Sequence, residues 1–406
     1  MIVQFTKQQA WDFLVIGAGV IGVSIARELR RRYASRVLVI EKESSSGRHA
    51  SGRNSGVLHA GVYYKAGTLK ARMCVEGNRR MREYCRLKGI PANDYGKVIV
   101  ARSAAELPAL RDLYARAQTN GVHAILLDGQ GLREVEPCAK TVEQALQVKD
   151  TAVVNPQRVM EALVADAVQE GVEFRFSCLY QGRDGNEAAK TSQGRVAYGH
   201  LVNCAGLFAD QVAHGFGVGS CYRILPFRGQ FYRLRPGSQV QVRGNIYPVP
   251  DLHNPFLGVH FTHTPEGEVT VGPSALPLLG REQYRGLAGA NAQDGLAMIR
   301  FLIRLIGRNR DHFRSIAWKE IAKLSHTGFY REAEGLCVGL RKDDLMPGKE
   351  PGIRAQLVNI RTAELSNDFV IEQGAHSTHV LNAVSPAFTS SAPFAEYVVD
   401  MVKLDN

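Results

Sequence analysis

The stretch Phe13–Gly22, FLVIGAGVIG, decides the fold, and Glu41 stands nineteen positions beyond its last glycine. Phe13 to Ile16 form a short apolar run of the kind that makes a buried parallel strand. Gly17, Gly19 and Gly22 match the dinucleotide fingerprint. The first allows a tight turn, the second lets a pyrophosphate approach the backbone, and the third lets the following helix pack close to the strand. Val20 to Arg31 continues as a helix whose N-terminal N–H groups and dipole attract phosphate. Arg36 to Ile40 reads as a second strand, and Glu41 at its end is placed to hold both hydroxyls of a ribose. Strand, glycine turn, helix, strand and terminal acid in this order predict adenine-dinucleotide binding. The glycine turn alone would fit any α/β protein.

The 406 residues suffice for two domains or one elaborated domain, and 45% hydrophobic with 22% charged residues is a globular composition. MIVQFTKQQAWDF lacks a basic start followed by an apolar core, so no secretory signal is expected. No apolar run is long enough to span a bilayer. Seven scattered cysteines without CxxC spacing read as reduced thiols of a cytoplasmic protein, at most resting on the inner face of the membrane. The net charge of +11 suits an anionic cofactor and an anionic substrate. Its basic residues are dispersed and no nucleic-acid motif is present, so no nucleic-acid partner is expected.

Later segments repeat the α/β pattern. Leu69–Lys88, Ala105–Asn120, Pro156–Glu170 and Gln293–Arg308 are expected helices. Lys97–Ala101 is an expected strand, Leu225–Gly272 reads as short strands of a mixed sheet, and the chain closes with a strand and a helix after His379. Dinucleotide-type pieces therefore lie at the start, middle and end, and exclude a simple division into halves. Three segments favour FAD over a nicotinamide. In SGRNSG, small residues and Asn54 let the backbone approach a flat ring system, while Ser51 and Ser55 offer hydrogen bonds. LVNCAG ends an apolar strand at Ala205 and Gly206. In NAVSPAFTSS, the hydroxyls from Thr389 to Ser391 and then Pro393 signal a helix start with a positive dipole end.

The segments SGRNSGVLHAGVYYKAGTLKARMC, LPFRGQFYRL, GNIYPVPDLHNPFLGVHFT, VGPSAL, GIRAQ and NAVSPAFTSS together resemble the L-2-hydroxyglutarate dehydrogenases/oxidases, within the wider D-amino-acid-oxidase-like group of FAD enzymes. The resemblance runs from about Asp12 to Val399. It implies an α/β fold elaborated towards α+β, with a discontinuous Rossmann-like FAD-binding domain (1–88, 150–216 and 350–406) and a mixed-sheet substrate domain (89–149 and 217–349). The chain departs from the family pattern at Arg53, where His is usual, at Glu350–Arg354, and at Val384 and Phe388. These changes bear on the substrate more than on the cofactor, and Phe388 is bulky enough to narrow the pocket.

The implied reaction is oxidation of a 2-hydroxy acid to the 2-oxo acid, with hydride passing to flavin N5. L-2-Hydroxyglutarate, giving 2-oxoglutarate, is the best single substrate. Such a site needs a base near the hydroxyl and a cation for the carboxylate. His59 and His260 are the candidate bases, and which of them acts stays open. His59 could instead contact the flavin or carry a covalent link to it. Arg354 is the candidate for the C1 carboxylate. Arg228 is a weaker candidate for a distal carboxylate, and Tyr247 and Tyr63 are candidate hydroxyl donors. The expected FAD contacts are Gly17, Gly19, Gly22, Glu41, Lys42, Ser51, Gly52, Asn54, Ser55, Gly56, Val154, Ala205, Gly206, Gly352, Ser385, Ala387, Phe388 and Thr389, with Lys42 solvent-facing near the adenosine. No metal is expected. An amino-acid or amine oxidase of the same group, or an electron-transfer flavoprotein subunit, are the competing readings. Quinone, oxygen and a carrier protein remain as electron acceptors. Arg300, Arg304 and Arg308 share one helix face, which fits either a solvated basic face over a packed apolar one or a contact with a membrane surface.

Overall fold

The computed structural model describes residues 10–251, 257–309, 313–348 and 351–402. Residues 252–256 of the GNIYPVPD motif block and Glu350 lie outside the described residues. The opening βαβ unit forms as expected: β1 (Trp11–Ile16), α1 (Val20–Tyr33) and β2 (Val37–Ile40). Phe13–Ile16 and all of β2 are buried, which explains why both strands read as unbroken apolar runs.

β1 lies inside a sheet drawn from distant parts of the chain. It pairs in parallel with β2 on one side and with Gly194–Asn203 on the other. Glu173–Arg175 continues the parallel run beyond β2, and Ser377–Asn382 continues it beyond Gly194–Asn203. Residues from the start, middle and end of the sequence thus stand side by side. On one side of this sheet, α1 packs among buried Val159, Met160 and Leu163 of helix Pro156–Gln169 and Phe394 and Val398 of helix Ser391–Met401. Asn155 caps the former helix by accepting from the N–H groups of Gln157 and Arg158, with Pro156 in the first turn. Arg27 of α1 reaches Asp166 at 3.2 Å and Glu170 at 2.6 Å.

A second eight-stranded sheet forms the roof. Its order is Leu345–Pro347, Tyr232–Leu234, Val269–Gly272, His260–His263, Asn245–Pro248, Lys97–Val100, Gln144–Val148 and Ala124–Asp128. Lys97–Val100 runs parallel to Asn245–Pro248, so two segments separated by more than a hundred residues share one surface. In a separate four-stranded sheet, Tyr222–Gly229 pairs antiparallel with Gly352–Asn359 along its whole length. A buried ion pair fastens this region to the cofactor side. Arg281 and Asp210, 4% and 0% exposed, meet at 2.6 Å, and Asp210 also accepts the Ile224 N–H.

The helix Ala292–Arg308 departs from the reading of a solvated basic face over a packed apolar one. Met298, Phe301 and Leu305 are buried, but Leu296, Ile299, Ile303 and Ile306 are exposed. Arg304 and Arg308 donate to the carbonyls of Ile360 and Thr362. Two of the three arginines therefore tie down a loop, and the helix shows water an apolar stripe. No helix among the described residues is long and apolar enough to cross a membrane. All seven cysteines are thiols, none in a disulfide.

The glycines of the first turn are required by contact. Gly17 has φ +100°, and a Cβ there would stand 2.6 Å from the Cys204 carbonyl oxygen. A Cβ on Gly22 would stand 2.0 Å from the Gly17 carbonyl oxygen. Gly22→Ala is therefore expected to lower stability by about 1–3 kcal/mol and to lose bound flavin. Gly307→Ala, with nothing within 4 Å of its would-be Cβ, is expected to leave both unchanged. Thermal unfolding and the flavin-to-protein absorbance ratio check the pair.

Candidate active site

A cavity of about 890 Å³ opens at the carboxyl ends of the parallel strands, where α/β sheets bind ligands. One part of its wall is Glu41, Lys42, Gly17, Gly19 and Gly22; another is Ala205, Gly206 and Phe208; a third is Gly229, Phe231, Pro273, Gly352 and Arg354 under the roof. The wall is completed by the loop 47–59 and by Ala383–Thr389.

The residues fit a dinucleotide. Gly19 precedes α1 and has no capping side chain, so the helix start faces the cavity through backbone. Gly206 has φ +54°, and a Cβ there would meet nothing within 4 Å. Backbone is thus laid open to the cavity at two points. Glu41 accepts the Ala18 N–H at 2.8 Å through one carboxylate oxygen and the Glu43 N–H at 3.0 Å through the other. Each oxygen keeps a lone pair for a ribose hydroxyl. Lys42 is not solvent-facing: it is half-buried and paired with Glu43 at 2.6 Å and with Glu282. No local signal marks Glu282, which stands 240 residues beyond Lys42 and also lines the cavity.

The loop is braced from within. Ser51 Oγ accepts the Val20 N–H at 2.9 Å, joining the loop to the first turn of α1. Asn54 donates to the carbonyls of Ala50 and Ser51 and accepts the Gly56 N–H. Ser51, Asn54 and Ser55 line the cavity, but Gly52, Gly56 and Val154 do not. Gly52 presses on the Gly47 carbonyl, where a Cβ would come within 2.2 Å. Gly56 presses on Val154, whose N–H donates back to the Gly56 carbonyl at 2.9 Å. These three hold the loop's shape by close backbone packing. At the C-terminal end, Ser385, Ala387, Phe388 and Thr389 all line the cavity just before helix Ser391–Met401. Thr389 Oγ1 accepts the His59 N–H and donates to the Val57 carbonyl, clipping the two segments together.

The candidate catalytic residues separate into two groups. His59 and Arg354 line the cavity, whereas His260, Tyr247, Tyr63 and Arg228 do not. Arg354 donates from Nε to Gln356 Oε1 at 3.1 Å, and Gln356 is anchored by its amide to the carbonyls of Leu357 and Ser366. Burial lowers the Arg354 guanidinium to about 10, partly offset by Tyr64. Burial, then the charge of Lys97, lower His59 to about 3. Burial also lowers His260 to about 4 against the pull of the Gly258 carbonyl, which contacts its Nδ1 at 2.9 Å. The His260 ring stacks on Tyr247 with centroids 4.0 Å apart. Arg228 donates to the Tyr284 carbonyl at 3.3 Å, away from the cavity.

Two groups at this end were not anticipated. Lys97 is 2% exposed, and burial lowers its ammonium to about 7. Its signal was a single cation at the start of the otherwise apolar strand KVIV. Tyr64 lies close enough to Arg354 and Ser385 to interact with both, and carries no signal that separates it from neighbouring Tyr63.

Comparison with known proteins places the chain. The family model described as FAD dependent oxidoreductase matches residues 12–401. The L-2-hydroxyglutarate dehydrogenase of Salmonella houtenae is 36% identical over 399 residues, covering 97% of this chain and 93% of that one. The mitochondrial L-2-hydroxyglutarate dehydrogenase of Homo sapiens is 33% identical over 419 residues, covering 97% and 89%. Among solved structures, L-alpha-glycerophosphate oxidase from Mycoplasma pneumoniae with FAD bound aligns with a TM-score of 0.77 at 19% identity, covering 98% of this chain and 96% of that one. Glycine oxidase from Geobacillus kaustophilus aligns at 0.70 with 17% identity, covering 97% and 94%. At these identities the structural likeness speaks for the fold alone. With the glycine turn, the Glu41 carboxylate and the exposed backbone of the cavity all in register with that fold, the chain belongs to the FAD dependent oxidoreductase family, alongside the L-2-hydroxyglutarate dehydrogenases, and its cofactor is FAD.

Proposed function

We propose that the protein oxidises L-2-hydroxyglutarate to 2-oxoglutarate, with His59 as proton acceptor and Arg354 as the anchor of the C1 carboxylate. The observation that carries the assignment is the presence of both His59 and Arg354 in the lining of the one cavity that the glycine turn and Glu41 also line. When bound, FAD supplies a two-electron acceptor for the hydride from carbon 2. Arg354 offers a planar two-donor fork to the carboxylate and is itself held by Gln356. His59 is favoured over His260 because it reaches the cavity, while His260 is stacked behind it on Tyr247. The neutral imidazole is the accepting form, and burial together with Lys97 keeps His59 neutral well below its ordinary range. Phe231, Pro273 and Phe388 cover the site with apolar surface and limit water around the reacting carbon.

The division into a cofactor domain and a substrate domain is supported by the pairing of Lys97–Val100 with Asn245–Pro248. For the electron acceptor we propose a membrane quinone, reached by resting the face of Leu296, Ile299, Ile303 and Trp318 on anionic lipid. Ile303 and Trp318 are 66% and 71% exposed, and basic Arg300, Arg314 and Lys319 lie on the same two helices, Ala292–Arg308 and Phe313–Ala322.

Anaerobic mixing with L-2-hydroxyglutarate should bleach the flavin absorbance. Bleaching by an amine or amino acid, with none by hydroxy acids, would overturn the assignment. His59→Asn should keep the flavin and lower kcat by about 10²–10⁴-fold. Because the acceptor is neutral throughout, kcat/KM should show no acid limb between about pH 5 and pH 7, where an ordinary histidine would titrate. Arg354→Lys should raise KM for the acid about tenfold or more, since an ammonium cannot replace the fork. Vesicles of anionic lipid should co-sediment the wild type and release the Ile303→Glu/Trp318→Glu double variant.

A further inference from the structure

Behind His59 lies a set of buried polar atoms that no described residue satisfies. Lys97 Nζ, Tyr63 Oη and His59 Nδ1 are all shut off from water without a hydrogen-bond partner among the described residues. Lys97 Nζ sits 4.3 Å from the Tyr63 ring centroid and 5.3 Å from that of Tyr247. The strand register explains the convergence. Lys97 pairs with Asn245 and Ile99 with Tyr247, so Lys97 and Tyr247 project from the same face of the roof. His260 joins them by stacking on Tyr247, and the cluster meets the cavity at His59.

A buried ammonium is normally matched by a carboxylate, because the charged form is costly away from water. Here, among the described residues, the one neighbour that favours the charged form of Lys97 is the Cys74 thiol, which burial holds up at about 12 and hence protonated. The tyrosine faces give partial compensation through their quadrupoles. They leave the three ammonium donors and the Tyr63 hydroxyl without acceptors. A polar group that a native chain leaves unsatisfied calls for an outside partner. Lys97 and Tyr63 do not themselves line the cavity, so a partner reaches them past His59; an anionic group with more than one acceptor oxygen would supply what they lack.

We propose that Lys97 and the Tyr63 hydroxyl form a second anion subsite, which receives the distal carboxylate of a dicarboxylic 2-hydroxy acid while Arg354 holds the first. This rests on the functional reading given above and specifies its substrate class. It replaces Arg228, which is turned to the Tyr284 carbonyl. The subsite also links binding to chemistry. Lys97 is one of the groups whose charge opposes protonation of His59. A carboxylate that neutralises Lys97 removes that opposition at the moment His59 must accept a proton. A monocarboxylate of equal length leaves the opposition in place. Discrimination then enters kcat as well as KM.

Redox-inert acids separate this subsite from the oxidation itself. Titration of the FAD-loaded enzyme with glutarate and with pentanoate, followed by calorimetry, should show glutarate binding about 10- to 100-fold more tightly. Lys97→Met should bring the two to within about threefold while keeping the flavin, whereas Lys97→Arg should keep most of the preference. Tyr63→Phe, which removes only the hydroxyl, should weaken the preference about three- to tenfold and serves if Lys97→Met does not fold. A preference unchanged in Lys97→Met and Tyr63→Phe, or equal loss of both acids, overturns the subsite. Failure of hydroxy acids to bleach the flavin while glutarate keeps its Lys97-dependent preference would instead overturn the reaction and leave the subsite standing.

Discussion

Contact between the Gly17 carbonyl and the body of α1 is the constraint on which the molecule depends. With a Cβ at Gly22 only 2.0 Å from that oxygen, the helix can approach the turn only if the position is bare. With a Cβ at Gly17 only 2.6 Å from the Cys204 oxygen, the turn can lie against the end of the neighbouring strand only on the same terms. The two approaches set the ends of β1, β2 and Gly194–Asn203 around one point. The cavity is the space left there, and the loop from Gly47 to His59 is drawn over it by the Ser51 hydrogen bond to Val20.

Electrostatics divides the molecule sharply. Away from the cavity, buried cations are matched: Arg27 by Asp166 and Glu170, Arg281 by Asp210 and Asp294. Beneath and beside the roof, desolvation prevails instead. Lys97, His59, His260 and Arg354 are all pushed below their ordinary values, with desolvation as the first cause in every case. Four groups that could carry positive charge have been taken out of water, and two of them, His59 and Arg354, line the cavity. Perturbation of this kind concentrates where chemistry is done. The pattern favours an anion as guest and a neutral imidazole as its proton acceptor.

Sequence made the first βαβ unit legible because its signals are local: an apolar run, a glycine spacing and an acid at a strand end. The helices from Leu69, Pro156 and Ala292 were legible for the same reason, through period and caps. His59 and Arg354 came from the resemblance, and their neighbourhood could not be read from spacing. What escaped was set by tertiary pairing. Gly52, Gly56 and Val154 look like cofactor contacts in the string, yet their close approaches are to other backbone. Lys97 lies 38 residues after His59 and 150 before Tyr247, and only the parallel pairing of its strand brings it to them. For the apolar stripe of Ala292–Arg308 the sequence left two readings open, because periodicity shows that a helix has two faces but not which one the fold covers.

The order of the strands carries a consequence for how the protein is made. The cofactor sheet needs Ser377–Asn382 beside Gly194–Asn203, and Thr389 must reach back to the Val57–His59 segment. On the ribosome, the glycine turn emerges hundreds of residues before the strand and threonine that complete its pocket. Flavin can therefore be gripped only after nearly the whole polypeptide has been released, and until then the apolar strands at the beginning of the chain wait without their neighbours. A nascent chain in this state keeps apolar strand surface uncovered, which makes capture of the flavin a late event in maturation.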